Sequence, residues 1–205
     1  MFLPRFVAIL CFLMCLYAPT VQAEPQLTLI SSETTQTLPS AQPGWPTPSD
    51  PGMVFFLQRS ISKNVVVYAA QFEDDGSLKR RPIDAFWRRY SDDGTGRGQI
   101  KDLRFFESRL AYGVYTYPTG RAGEFDLRFA ALPDLPLTLR QERHNQASLW
   151  ARLDEEDYRL VYGYVEIDQK ALIPRVERLR LYTIDVKTGS YVTHILSVTG
   201  GAIPE

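Results

Sequence analysis

From Met53 to Val198 the apolar residues fall mostly at alternate positions, in short runs cut by turn residues. A period of two puts successive side chains on opposite faces of an extended chain, so this stretch is committed to strands. Met53 to Arg59 and Asn64 to Phe72 are β-branched and aromatic runs separated by Ser60 to Lys63, and read as a hairpin or two adjacent strands. Glu73 to Ser77 is a turn, and Pro82 to Tyr90 is a further strand. Strands follow at Tyr112 to Tyr117, Glu124 to Ala131, Leu137 to Arg143, Ser148 to Leu153 and Tyr158 to Ile167. The last pair, Val176 to Val186 and Ser190 to Val198, meets at Lys187-Thr188-Gly189. One segment keeps another rhythm. Within Gln99 to Leu110, the residues Ile100, Leu103, Phe106 and Leu110 recur at helical spacing, which predicts a helix there. The whole pattern predicts a mainly β chain: an antiparallel β-barrel or sandwich of about eight to nine strands with one helix. A calycin-like barrel is one form that fits.

The flanking segments have different compositions. Arg5 precedes an apolar run, Phe6 to Tyr17, broken at Ala18-Pro19, and Val21-Gln22-Ala23 presents small residues beyond it. This is the layout of a secretory signal, residues 1–23, with cleavage expected after Ala23 and a periplasmic or secreted product. The run is shorter than the roughly 20 apolar residues of a spanning helix, so no membrane span is expected after cleavage. Cys11 and Cys15 both lie in this run, and neither follows a small residue, which argues against lipidation. Cleavage would leave no cysteine, excluding disulfides and thiolate chemistry together. Residues 24–52 are rich in Ser, Thr, Gln and Pro, with prolines at 39, 43, 46, 48 and 51, and read as an extended linker. Residues 53–198 form one β-rich domain, and 199–205 a C-terminal tail. With 23 Lys and Arg against 24 Asp and Glu, interspersed along the chain, no overall field for nucleic acid or anionic lipid is expected.

Three stretches then stand in order: FFLQRSISKNVVVYAAQFEDDGSL from Phe55, RPIDAFWRRY from Arg81 and SRLAYGV from Ser108. Together they resemble a bacterial family known as domain of unknown function 4833. The elements that carry the match are Gln58-Arg59-Ser60, Asn64, Tyr68, Pro82, Trp87 and Ala111-Tyr112-Gly113. The resemblance implies an exported, small β-rich domain and supplies no reaction or ligand.

Candidate chemistry is sparse. Ser60-Ile61-Ser62-Lys63, Ser91-Asp92-Asp93 and Lys187-Thr188-Gly189 approximate, in order, the three motifs of penicillin-recognising serine enzymes. That mechanism needs Ser60 and Lys63 on one helix face, whereas here they fall between two strands. The loop Gly94 to Gly98 precedes the predicted helix and could hold an anion, but its spacing is not a dinucleotide fingerprint. His144 and His194 are not at ligand spacing, and Asp154 to Asp157 lacks the calcium-loop pattern, so no metal or cofactor is expected. Aromatic residues are spread over most strands, and in a small barrel some line a pocket. The expected ligand-binding residues are Arg59, Asn64, Tyr68, Trp87, Arg109 and Tyr112. The leading expectation is a non-catalytic exported domain that binds a small apolar or sugar-like ligand or an envelope partner. The alternative is a periplasmic hydrolase using Ser60 and Lys63.

Overall fold

A computed structural model describes residues 26–91, 95–169 and 175–199. The expected export signal with both cysteines, and the tail beyond Thr199, lie outside the described residues. The chain is mainly β, a curled mixed sheet that forms a half-barrel. Its strands are β1 (Gln26–Thr35), β2 (Met53–Arg59), β3 (Ser62–Phe72), β4 (Leu78–Arg89), β5 (Gln99–Asp102) and β6 (Val114–Pro118). They continue as β7 (Glu124–Phe129), β8 (Leu132–Arg143), β9 (Gln146–Leu153), β10 (Glu156–Asp168), β11 (Arg175–Ile184) and β12 (Tyr191–Thr199). A one-turn helix α1, Phe105–Glu107, runs into a π-helical turn, Ser108–Tyr112.

The sheet forks at β10. One edge of this strand pairs with β11 from Arg159 to Asp168. The other edge is shared. Glu156 to Arg159 pair antiparallel with β9, and Tyr162 to Val165 pair parallel with β2. From that fork one wing runs β2-β3-β4-β5 and the other β9-β8-β7-β6, while β11 leads on to β12 and β1. The wings curl back until β4 meets β6 and β1 meets β8. The parallel pair makes the sheet mixed where all-antiparallel pairing was expected. Gly163 sits at the fork because a side chain cannot: a Cβ there would lie 2.8 Å from Leu57 Cδ1 and 3.0 Å from Phe55 Cζ.

Two cores follow from the alternation of β3. Val66 and Tyr68 face the interior of the half-barrel with Phe55, Phe129, Leu139, Leu149 and Leu181. Val65 and Val67 face the other side with Phe56, Tyr162, Tyr164 and Tyr182. Strand β3 is therefore buried on both faces, which explains its near-continuous apolar run. Each such side chain contributes roughly 1.5–3 kcal/mol on burial.

The second core is closed by a segment read from sequence as a linker. Within it, Gln26–Thr35 is strand β1, paired antiparallel with β12, and residues 36–52 cross the outer face. No proline falls between Gln26 and Leu38, so β1 is spared, while those from Pro39 onward remove N–H donors from the crossing segment. That segment is held by phenols instead of a ladder. Ala41 N–H donates to Tyr162 Oη at 3.0 Å, Tyr162 O–H donates to Pro39 C=O at 2.7 Å, and Gln42 Nε2 donates to Tyr164 Oη at 2.5 Å. Asp50 closes it with an ion pair to Arg88.

The expected helix at Gln99 to Leu110 is also corrected. Its first part, β5, pairs with Phe86 to Arg89 along the open edge of β4. The helical spacing marked no buried stripe, since Ile100 is 61% and Leu110 49% exposed. Only α1 and the π-helical turn remain helical.

His194 on β12 lies between Leu181 of β11 and Ser32 of β1. Its Nδ1 shares a 2.9 Å hydrogen bond with Ser32 Oγ, its ring meets Tyr158 edge-on at 4.5 Å, and its Nε2 is buried without a partner. Burial pushes the imidazole pKa down, against a weaker upward pull from Asp154. The folded chain therefore disfavours the proton that the unfolded chain accepts below about pH 6.5. This contribution is fully present above that pH and is lost as the pH falls through the depressed folded value. Urea unfolding of wild type and His194→Gln across this window should show stability falling more steeply in the wild type; equal slopes would contradict the assignment.

Candidate functional site

The β2-β3-β4-β5 wing carries a cleft of about 170 Å³ lined by Arg59, Asn64, Trp87, Arg89, Lys101, Asp102, Arg104 and Glu107. Register brings them together. Trp87 of β4 stands between Val66 of β3 and Lys101 of β5, and Arg59 ends β2 beside them. Ser60 fixes that end: its N–H donates to Val165 C=O at 2.9 Å, and its Oγ accepts from Ile167 N–H at 3.0 Å.

Arg59 is the centre of the cleft. Its guanidinium carbon lies 4.5 Å from the Trp87 ring centroid and 5.9 Å from that of Tyr112. Nη1 donates to Tyr112 Oη at 3.2 Å, while Nε is buried without a partner. Trp87 and Tyr112 meet edge-to-face at 5.1 Å, so the two rings brace one another as well as the cation. Contacts of this kind contribute about 0.5–1 kcal/mol at exposed sites and more when desolvated. Below them Tyr68 is fully in the core and donates its hydroxyl to Tyr112 C=O at 3.0 Å. Burial raises the Tyr68 phenol pKa well above its ordinary value, with the neighbouring Tyr112 adding to the rise, so it stays a donor.

The wall opposite is made by α1. Glu107 stands three residues after Arg104 and accepts its backbone N–H at 2.7 Å, capping the turn. The same carboxylate oxygen accepts Trp87 Nε1–H at 3.2 Å. Asn64 is buried and accepts Ser91 N–H at 3.0 Å through Oδ1. Four cations and two carboxylates line the cleft, and the carboxylate of Glu107 is engaged by neighbouring donors. The balance favours an anion.

A family model described as Domain of unknown function (DUF4833) matches residues 55–194. The chain belongs to that family. No curated protein and no solved structure matches the chain. The span matched to DUF4833 contains every cleft residue, whereas β1 and the proline-rich segment precede it.

Of the residues expected to bind ligand, Arg59, Asn64 and Trp87 line the cleft, and Tyr112 holds Arg59 from behind. Tyr68 supports that layer from the core and has no open face. Arg109 lies elsewhere, lining a neighbouring shallow hollow with Phe105, Ser108, Gly113, Val114 and Tyr115. Sequence reasoning missed Arg89, Lys101, Asp102, Arg104 and Glu107. The last four fall in the segment assigned to a helix, where charges look like a solvated face; the Arg104–Glu107 spacing was the available signal.

The serine-enzyme pattern does not converge. Ser60 Oγ is occupied by Ile167 near one end of β10, and Lys187 pairs with Glu156 at the other. At about 3.3 Å per residue these ends are roughly 35 Å apart. Asp92, Asp93 and Gly94 lie outside the described residues, and the glycine loop leads into β5, so it has no helix N-terminus to offer an anion. In the acidic run Asp157 pairs with Arg140 of β8 at 2.9 Å and Glu156 with Lys187 of the turn before β12. Among the described residues no three His, Cys, Asp or Glu side chains group to hold a metal.

Tyr112→Phe should remove the hydroxyl that holds Arg59 and cost about 1–2 kcal/mol of stability. Tyr115→Phe, at a half-exposed position, should cost nothing measurable by the same urea titration. Equal effects of the two substitutions would deny Tyr112 this role.

Proposed function

We propose that this DUF4833 chain is an exported, non-catalytic binding domain whose Arg59 cleft takes a small ligand carrying an anionic group, a phosphate or carboxylate. The observation that carries the proposal is the Arg59 guanidinium, held between Trp87 and Tyr112 with its Nε unpaired, among Arg89, Lys101 and Arg104. A guanidinium whose orientation is prepaid by stacking and a phenol loses little entropy on binding an anion. The cleft volume suits one headgroup-sized moiety, since pockets for drug-sized ligands begin near 300 Å³. This chemistry sharpens the sequence expectation away from an apolar ligand and toward an acidic sugar or a phosphate ester. Export is supported by the apolar run from Phe6 to Tyr17 and the small residues before Glu24. The non-catalytic reading is preferred to a hydrolase using Ser60 and Lys63 because Ser60 Oγ accepts the Ile167 N–H at 3.0 Å.

Calorimetric titration with glycerol phosphate and with glucuronate tests this. At least one should bind saturably, and Arg59→Gln should weaken that binding by roughly tenfold or more, the loss of a charge-assisted contact. Failure of both ligands to bind, or indifference to Arg59→Gln, would overturn the proposal.

A further inference from the structure

Beside the cleft, the same segment that supplies Arg104 and Glu107 turns two aromatic side chains outward. Phe105 is 68% and Phe106 66% exposed, and their ring centroids are 5.5 Å apart. Leu110 and Tyr115 are about half-exposed, and the hollow of about 340 Å³ between Phe105 and Tyr115 extends the patch. A contiguous group of large exposed apolar side chains marks a surface that something covers.

Charge identifies the occupant. The patch is edged by Arg104, next to Phe105 in sequence, and by Arg109, whose guanidinium carbon lies 5.9 Å from the Phe105 ring. The segment from Arg104 to Leu110 contains one acid, Glu107, whose carboxylate is taken by Trp87 and the Arg104 amide. Apolar tips between cations match an anionic bilayer, where aromatic rings enter the headgroup boundary and Lys and Arg meet lipid phosphates. We infer that Phe105, Phe106 and Leu110 dock the protein on an anionic lipid surface and bring the Arg59 cleft against a phosphate-bearing headgroup. This rests on the anion-binding reading of the cleft and names the source of its ligand. The shared piece is α1 with its N-cap: Arg104 and Glu107 line the cleft, and the two residues between them form the docking tip.

The test is flotation of the full chain with vesicles of phosphatidylcholine alone and with added phosphatidylglycerol, beside titration with soluble glycerol phosphate. The apolar run at residues 6–17 contributes equally to every variant, so the readout is the preference for anionic vesicles. The wild type should prefer them by roughly tenfold. The double variant Phe105→Ser, Phe106→Ser should lose that preference and keep its affinity for glycerol phosphate, a result that also certifies its fold. Arg59→Gln should weaken both. A double variant that floats as the wild type does, or a wild type without preference, would overturn the inference while leaving the cleft's ligand class standing. Retained glycerol phosphate binding by Arg59→Gln would instead remove the cleft reading beneath it. Sedimentation equilibrium provides the remaining outcome: a dimer that the double variant abolishes would assign the patch to a second copy and overturn the lipid assignment.

Discussion

The architecture depends on one strand having three neighbours. Strand β10 pairs with β11 along one edge and divides the other between β9 and β2. Because those two partners run in opposite senses, the wings they begin cannot continue as one flat sheet. They diverge, curl and enclose the larger core between them. The close approach this requires is visible at Gly163, where Leu57 and Phe55 leave no space for a side chain. An unbranched backbone at that point lets β2 lie against β10, and the wing carrying the cleft is hung from that contact.

From the fork β2 leads directly to Arg59. The parallel register ends at the pair Val165 and Arg59, and Ser60 locks the end of β2 with one backbone and one side-chain hydrogen bond. Arg59 is thereby delivered to Trp87, which belongs to the core through Val66, and to Tyr112, which is tied to Tyr68. A cation placed on rings that the core itself holds has little freedom left to lose. On the opposite side of the same wing, Tyr162 and Tyr164 fasten the crossing segment, and Asp50 reaches Arg88, the neighbour of Trp87 in sequence. Both faces of the wing are thus restrained.

Much of this was legible in the chain and some was not, for physical reasons. Alternation marks a strand whichever strand it pairs with, so β2, β3, β4 and β6 to β12 could be read, whereas the fork at β10 could not. Strand β1 was hidden by proximity to prolines, with Pro25 next to Gln26 in sequence and Pro39 four residues after Thr35. Strand β5 was hidden by Ile100, Phe106 and Leu110, whose helical spacing implied a buried stripe although all three are exposed. In the cleft, Arg59, Asn64 and Trp87 were accessible because a cation, an amide and an indole interrupt apolar strands. Lys101 and Asp102 were not, because a charge on an edge strand looks the same whether it faces solvent or a cleft. The Ser60 motif shows the converse: three short patterns in correct order, with Ser60 and Lys187 at the two ends of β10.

The central claim is that an anion enters beside Arg59 and Trp87, and the chain carries its own reporters. It has 3 tryptophans, of which Trp87 lines the cleft, Trp150 lies on β9 and Trp45 on the proline-rich segment. Their indole N–H resonances, together with the Arg59 Nε–H resonance, can be followed by nuclear magnetic resonance during addition of glycerol phosphate. The account predicts saturable shifts of the Trp87 and Arg59 signals with Trp150 and Trp45 unmoved. Shifts confined to Trp150 or Trp45, or no saturable shift at Trp87 and Arg59, would contradict it.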